Sequence, residues 1–128
     1  MGNKNIKILV VDDENDFRTL MSFWLESNGY KVIAASCGED AIRLAQSESP
    51  DIIFMDLRMP VMDGAQTIAK IREFNKEIPV IIISAHVDDP IAKTALSYGV
   101  EGVFYKGKDF EKGLVLLETI LRTHKKLK

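Results

Sequence analysis

Three aspartates, a serine and a lysine each stand at the point where an apolar run stops. Ile6 to Val11 ends on Asp12 and Asp13, and Ile52 to Met55 ends on Asp56. Val80 to Ile83 ends on Ser84, and Val100 to Tyr105 ends on Lys106. Carboxylates gathered in one place repel: two unit charges about 4 Å apart cost roughly 4 kcal/mol at an effective dielectric near 20. A lysine supplies one compensating charge. A hard divalent cation with oxygen ligands supplies the rest, and magnesium suits the task because it completes its octahedron with water and phosphate oxygens. A carboxylate nucleophile, a magnesium ion, an ammonium and a hydroxyl together can carry out phosphoryl transfer. In that reading Asp56 attacks phosphorus, Lys106 and the metal hold the equatorial oxygens, and Ser84 donates a hydrogen bond.

Such a site exists only if the elements bring the five residues together. Apolar runs alternate with helix-period segments along the whole chain. Phe17, Leu20, Met21, Trp24 and Leu25 recur at helical spacing, and Asn28-Gly29 closes that helix. Lys31 to Ala35 reads as a second strand. Glu39 to Ser47 reads as a helix with Ala41, Ile42 and Ala45 inward, ended by Ser49-Pro50, and Asp51 to Met55 as the third strand. Asp63-Gly64 opens a helix with Ile68, Ile71 and Phe74 on one face. Pro79 introduces the fourth strand, and Asp89-Pro90 is an N-cap with proline at the first helical position, starting a helix that runs to Tyr98-Gly99. After the fifth strand, Asp109 caps a helix that turns Phe110, Leu114, Leu117, Ile120 and Leu121 inward. Strict alternation predicts an α/β fold: a single doubly wound five-stranded parallel sheet flanked by five helices, flavodoxin-like, in the order 2-1-3-4-5. In that order the switch point falls between strands one and three, so Asp12, Asp13 and Asp56 share one crevice with Ser84 and Lys106 beside it. A lone aspartate at a strand end is usually a cap or turn former, and Asp13 could simply cap the helix that follows it. The joint placement on four strand ends is what favours chemistry.

Composition sets the outer bounds. The 128 residues are one domain's worth of chain, 46% hydrophobic and 28% charged, with a formal charge of −2. That charge gives no reason to expect nucleic acid or an anionic membrane. Cys37 is the only cysteine, which excludes an internal disulfide, and with two histidines it cannot build a zinc site. No run approaches the ~18 apolar residues of a membrane span, and the N-terminus lacks a signal-peptide core, so the expected location is the cytoplasm.

The motifs Val10-Val11-Asp12-Asp13-Glu14, Met55-Asp56-Leu57-Arg58-Met59-Pro60-Val61-Met62-Asp63-Gly64, Ser84-Ala85 and Lys106 resemble those of a response-regulator receiver domain, the CheY-like module of two-component signalling, over essentially all of residues 1–128. The resemblance implies that a histidine kinase or phosphotransfer protein phosphorylates Asp56. It implies direct Mg²⁺ ligation by Asp13, Asp56 and the backbone carbonyl of Arg58, with Asp12 acting mostly through a metal-bound water. Ser84 matches the hydroxyl that swings to the phosphoryl group, and Lys106 the lysine that pairs with it. Phosphorylation would then repack the face of helix four, strand five and helix five. Such a domain is a switch rather than an enzyme, catalysing only its own aspartyl phosphorylation and dephosphorylation. Its partners are a downstream protein or a fused output domain, or a second copy in a phosphorylation-dependent homodimer.

Two positions depart from the family's habit. Gly107 follows Lys106 where proline is usual, and Val103 stands where an aromatic switch residue is common; a valine cannot move a ring between buried and exposed rotamers. Arg58 and His86 lie two positions beyond Asp56 and Ser84, where their bulk would slow hydrolysis of the acyl phosphate. Three readings compete. A magnesium-dependent phosphohydrolase of the haloacid dehalogenase type would want Asp-x-Asp after strand one and a segment to enclose substrate. A flavodoxin-like nucleotide binder would want a phosphate loop where this chain has acids. A degenerate receiver would act as a phosphorylation-independent binding module.

Overall fold

The computed structural model describes residues 5–107 and 109–127. Ten elements alternate: β1 (Lys7–Val11), α1 (Asn15–Ser27), β2 (Lys31–Ala35), α2 (Gly38–Glu48), β3 (Ile52–Asp56), α3 (Gly64–Arg72), β4 (Val80–Ser84), α4 (Pro90–Leu96), β5 (Gly102–Tyr105) and α5 (Phe110–Thr123). The strands form one parallel sheet in the order β2-β1-β3-β4-β5, as the alternation predicts.

Every residue of β3 and β4 is buried, because helices cover both faces and neither set of alternating side chains meets water. Leu9, Val11, Ile53, Met55, Val80 and Ile82 point to one side. There they pack on Ala41 and Ala45 of α2, Ile68 and Ile71 of α3, and Ala95 of α4. Ile8, Val10, Ile52, Phe54, Ile81 and Ile83 point to the other side, onto Met21 and Leu25 of α1 and Leu117 and Leu121 of α5. Register fixes the site: Val11 lies opposite Met55, Asp56 opposite Ile83, and Ser84 opposite Tyr105. Asp12, Asp56, Ser84 and Lys106 therefore emerge at nearly one level.

Element ends differ from expectation by one to three residues. The fourth helix ends at Leu96, and Ser97, Tyr98 and Gly99 instead donate to carbonyls three residues back, a tightened last turn. The fifth strand begins at Gly102 rather than Val100. Two side chains face differently. Leu20 is 52% exposed. At 3.6 residues per turn it sits about 100° from Met21, outside the stripe centred on Met21 and Leu25. Phe74 is 40% exposed, because α3 stops at Arg72 before the helical face reaches it.

The loop carrying Asp56 into α3 is tightly built. Gly64 donates its N–H to the Leu57 carbonyl at 2.9 Å. A Cβ on Gly64 would fall 2.3 Å from the Asp56 carbonyl oxygen, a backbone atom that cannot yield without moving the aspartate. Asp63 and Gln66 close a reciprocal capping box on the same turn, at 2.8 and 2.9 Å. Gly107 differs: it adopts φ +85°, which proline's ring forbids, and a Cβ there meets nothing within 4 Å. Gly64→Ala should lower unfolding stability by about 2 kcal/mol or more through overpacking. Gly107→Ala should cost about 1 kcal/mol, from its left-handed backbone alone. Urea denaturation of both variants checks the order; equal losses would contradict it.

Candidate functional site

Asp12, Asp13 and Asp56 each present a carboxylate oxygen within 4.8 Å of the others. Asp12 and Asp56 are buried, at 0% and 4% exposure, whereas Asp13 faces solvent. The register of β1 and β3 imposes this meeting, since each carboxylate is the first or second residue past its strand's last apolar side chain. Lys106 enters from the end of β5. Its Nζ lies 3.0 Å from Asp12 Oδ2 and 3.8 Å from Asp56 Oδ2, and it also pairs with Glu14. The Phe17 ring supports the ammonium from the side, its centroid 4.9 Å away.

One ammonium does not balance these acids. Burial, and then the charge of Asp12, push the Asp56 carboxyl up to about 7, against a smaller opposing pull from Lys106. Burial likewise raises Asp12, although the Glu14 backbone N–H at 2.8 Å and Lys106 both favour its ionised form. For Lys106 burial disfavours the charge, but its hydrogen bonds to Glu14 and Asp12 and the field of both aspartates outweigh that and raise its pKa.

Ser84 is buried and faces its own loop: Oγ donates to the His86 carbonyl at 2.7 Å and accepts from His86 N–H at 3.2 Å. Arg58 N–H points at Asp56 Oδ1 across 3.4 Å. Its guanidinium turns to Asp89, with Nε and Nη2 each 2.9 Å from a carboxylate oxygen. That bond holds the Asp89 carboxyl below its usual range. The suggestion that Asp13 caps the first helix does not hold, because Glu14 occupies the N-cap. Asp13, Asp56, Arg58, Ser84, His86 and Lys106 line a crevice of about 460 Å³. A larger groove of about 560 Å³ between α3 and α4 contains none of the three clustered aspartates, nor Lys106, and so is not where the chemistry lies.

The donor set fits a hard divalent cation. Asp12 Oδ2 is fully buried, 3.0 Å from a Lys106 ammonium that Asp56 and Glu14 also share, so the carboxylates here outnumber the positive charge beside them. Oxygen-only ligands at the floor of an open crevice suit Mg²⁺.

Comparison with known proteins agrees with this geometry. The sequence profile of the response regulator receiver domain matches residues 8–120. The chain belongs to the response-regulator receiver family. It is 36% identical over 102 residues to the alkaline phosphatase synthesis transcriptional regulatory protein PhoP of Bacillus subtilis, covering 80% of this chain and 42% of that protein. It is 35% identical over 125 residues to the transcriptional regulatory protein ZraR of Escherichia coli, covering 97% of this chain and 28% of that one. The receiver thus spans less than half the length of these curated relatives. Among solved structures, the Vibrio cholerae chemotaxis protein CheY4 superposes with a TM-score of 0.85 at 29% identity, covering 91% of this chain and 98% of that one. A two-component response regulator from Clostridium difficile superposes at 0.88, with 26% identity and 94% and 99% covered.

All six residues expected at the site, Asp12, Asp13, Asp56, Arg58, Ser84 and Lys106, lie in or at the edge of the crevice. Three contributors escaped the sequence reading. In the sequence Glu14 falls in a motif without a role, Phe17 belongs to a helical repeat, and Asp89 reads only as a cap. Each acts through a side-chain contact between residues far apart in the chain, and no local pattern announces it. Among the described residues no helix is long and apolar enough to cross a membrane.

Because the folded Asp56 value, about 7, lies above its unfolded value near 3.8, its contribution to stability is complete below about pH 4 and is lost as pH rises through 7. Without divalent metal, Asp56→Asn should therefore melt above wild type at pH 8, by on the order of 2–4 kcal/mol, with the gap narrowing toward pH 5. Thermal melts across that range check it; a gap independent of pH would contradict the electrostatic account.

Proposed function

We propose that this receiver is a phosphorylation-dependent switch whose phosphoacceptor is Asp56. The observation that carries the reading is the meeting of the Asp12, Asp13 and Asp56 carboxylates within 4.8 Å, with Lys106 reaching both Asp12 and Asp56. The donor is a phosphohistidine on a histidine kinase or phosphotransfer protein. An Asp56 carboxylate oxygen attacks phosphorus, the P–O bond forms as the P–N bond breaks, and the imidazole nitrogen leaves with its electron pair. Asp13, Asp56 and the Arg58 carbonyl are the residues that would hold Mg²⁺, with Asp12 bonding to one of its waters. When bound, the ion supplies positive charge to the phosphoryl oxygens. Lys106 pairs with one of those oxygens. Ser84 gives up its bond to the His86 carbonyl and donates to another.

The receiver catalyses no reaction beyond its own phosphorylation and dephosphorylation. Its output passes through α4, β5 and α5 to a downstream protein, a fused output domain or a second copy in a homodimer. Nucleic acid and membrane are not contacted by these 128 residues, which act as one domain in the cytoplasm. The curated relatives named as transcriptional regulators extend well beyond the matched region, which supports a fused output as one arrangement.

Intact mass after incubation with acetyl phosphate, with and without Mg²⁺, tests the reading in wild type and Asp56→Asn. The expected result is one added phosphoryl group that requires both the metal and Asp56. No addition to a folded wild type would overturn it in favour of a phosphorylation-independent binding module.

A further inference from the structure

Arg58 joins two parts of the receiver that the sheet does not connect. It lies two residues past Asp56 and lines the same crevice, while its guanidinium grips Asp89 through two parallel bonds of 2.9 Å. Asp89 in turn is the first residue of the α4 cap, accepting the Ile91 N–H at 3.0 Å. The two partners are unequal. The Asp89 side chain is 1% exposed, so the guanidinium is its main source of neutralising charge. The Arg58 side chain is 61% exposed and free to swing. Arg58 therefore has somewhere else to go, and Asp89 does not.

A phosphoryl group on Asp56 would add a charge of about −1.5 to −2 and three acceptor oxygens within the same crevice. A guanidinium fork matches phosphate oxygens as well as it matches a carboxylate, and phosphate carries the larger charge. We propose that Arg58 is a charge latch: phosphorylation of Asp56 draws its guanidinium from Asp89 to the phosphoryl oxygens and thereby releases the first turn of α4. This rests on Asp56 being the phosphoacceptor and adds the route by which α4 learns of it. With the fork gone, a buried carboxylate keeps one backbone N–H and has lost its ion-pair partner, a state that drives it toward water. The α4 turn that carries it must open. Ile91 of that turn, with Tyr98 beyond the helix, lines the groove shared with α3, so the release reshapes an exposed surface. Ser84 is held within the same β4–α4 connection by its bond to the His86 carbonyl. A phosphoryl group that recruits both side chains frees the connection at each end.

The latch also alters the role expected for Arg58 as a bulky screen against water. Before phosphorylation its guanidinium is committed to Asp89.

Backbone amide exchange over residues 91–96, read by mass spectrometry together with intact mass, tests the proposal in wild type, Asp89→Asn, Arg58→Ala and Arg58→Lys. Asparagine keeps the cap and loses the charge. Unphosphorylated Asp89→Asn and Arg58→Ala should exchange about tenfold faster than unphosphorylated wild type, the scale of losing a charge-assisted pair. Arg58→Lys should fall between. Phosphorylated wild type should match the fast variants, which should gain little more on phosphorylation. Wild type that carries the phosphoryl group by mass yet exchanges unchanged would overturn the latch while leaving the phosphoacceptor reading intact. Asp89→Asn exchanging like wild type would overturn it too. Absence of any phosphoryl group on wild type would bring down both.

Discussion

The receiver depends on one electrostatic constraint: two buried aspartates and a third beside them occupy a space that a single lysine cannot neutralise. Asp12 and Asp56 sit at the tips of neighbouring strands because the apolar residues before them are locked between two helical layers. The sheet register leaves the carboxylates no way to separate. The ammonium of Lys106 is shared among Asp12, Asp56 and Glu14. The residue of that imbalance is an Asp56 carboxyl raised to about 7 and an Asp12 carboxyl raised by its burial. Positive charge is what such a site lacks, and a cation is the ligand its chemistry favours.

The surroundings hold this arrangement in place rather than relax it. Gly64 lets α3 begin directly against the Asp56 carbonyl, so the aspartate's backbone is braced from behind. The Phe17 ring lies against the Lys106 ammonium and tilts toward Phe110, which stacks in turn on Trp24 and Phe104. Lys106 is thereby tied to α1 and α5 as well as to the acids. On the opposite flank, Arg58 ties the Asp56 loop to α4. The charged centre thus touches both helical layers, and a change in its charge has physical routes into each.

Most of the fold and the principal site residues were legible in the sequence, because they follow from patterns that act locally. Uninterrupted apolar runs ending on Asp56 and Ser84 mark strands buried on both sides, the runs ending on Asp12 and Lys106 flank them, and alternation with helices leaves few ways to order them. Leu20 and Phe74 misled because helical spacing names a face without saying where its edge lies or where the helix stops. Glu14, Asp89 and Phe17 were illegible as site residues for a different reason. The Glu14–Lys106 pair spans 92 positions and the Arg58–Asp89 pair spans 31. Both depend on side-chain directions that only the packed structure fixes. Gly107, a departure from the family's proline, was visible in the sequence, but its φ of +85° required the backbone.

The most direct test of the central constraint is calorimetric titration of Mg²⁺ into the unphosphorylated protein at pH 7, repeated in buffers of different ionisation heat. If the acid cluster is under-neutralised, as we argue, binding will release a substantial fraction of a proton per ion near pH 7, where Asp56 is partly protonated. The release will fade by about pH 9 and vanish in Asp56→Asn. Binding with no buffer dependence at pH 7, or no binding at all, would contradict the account.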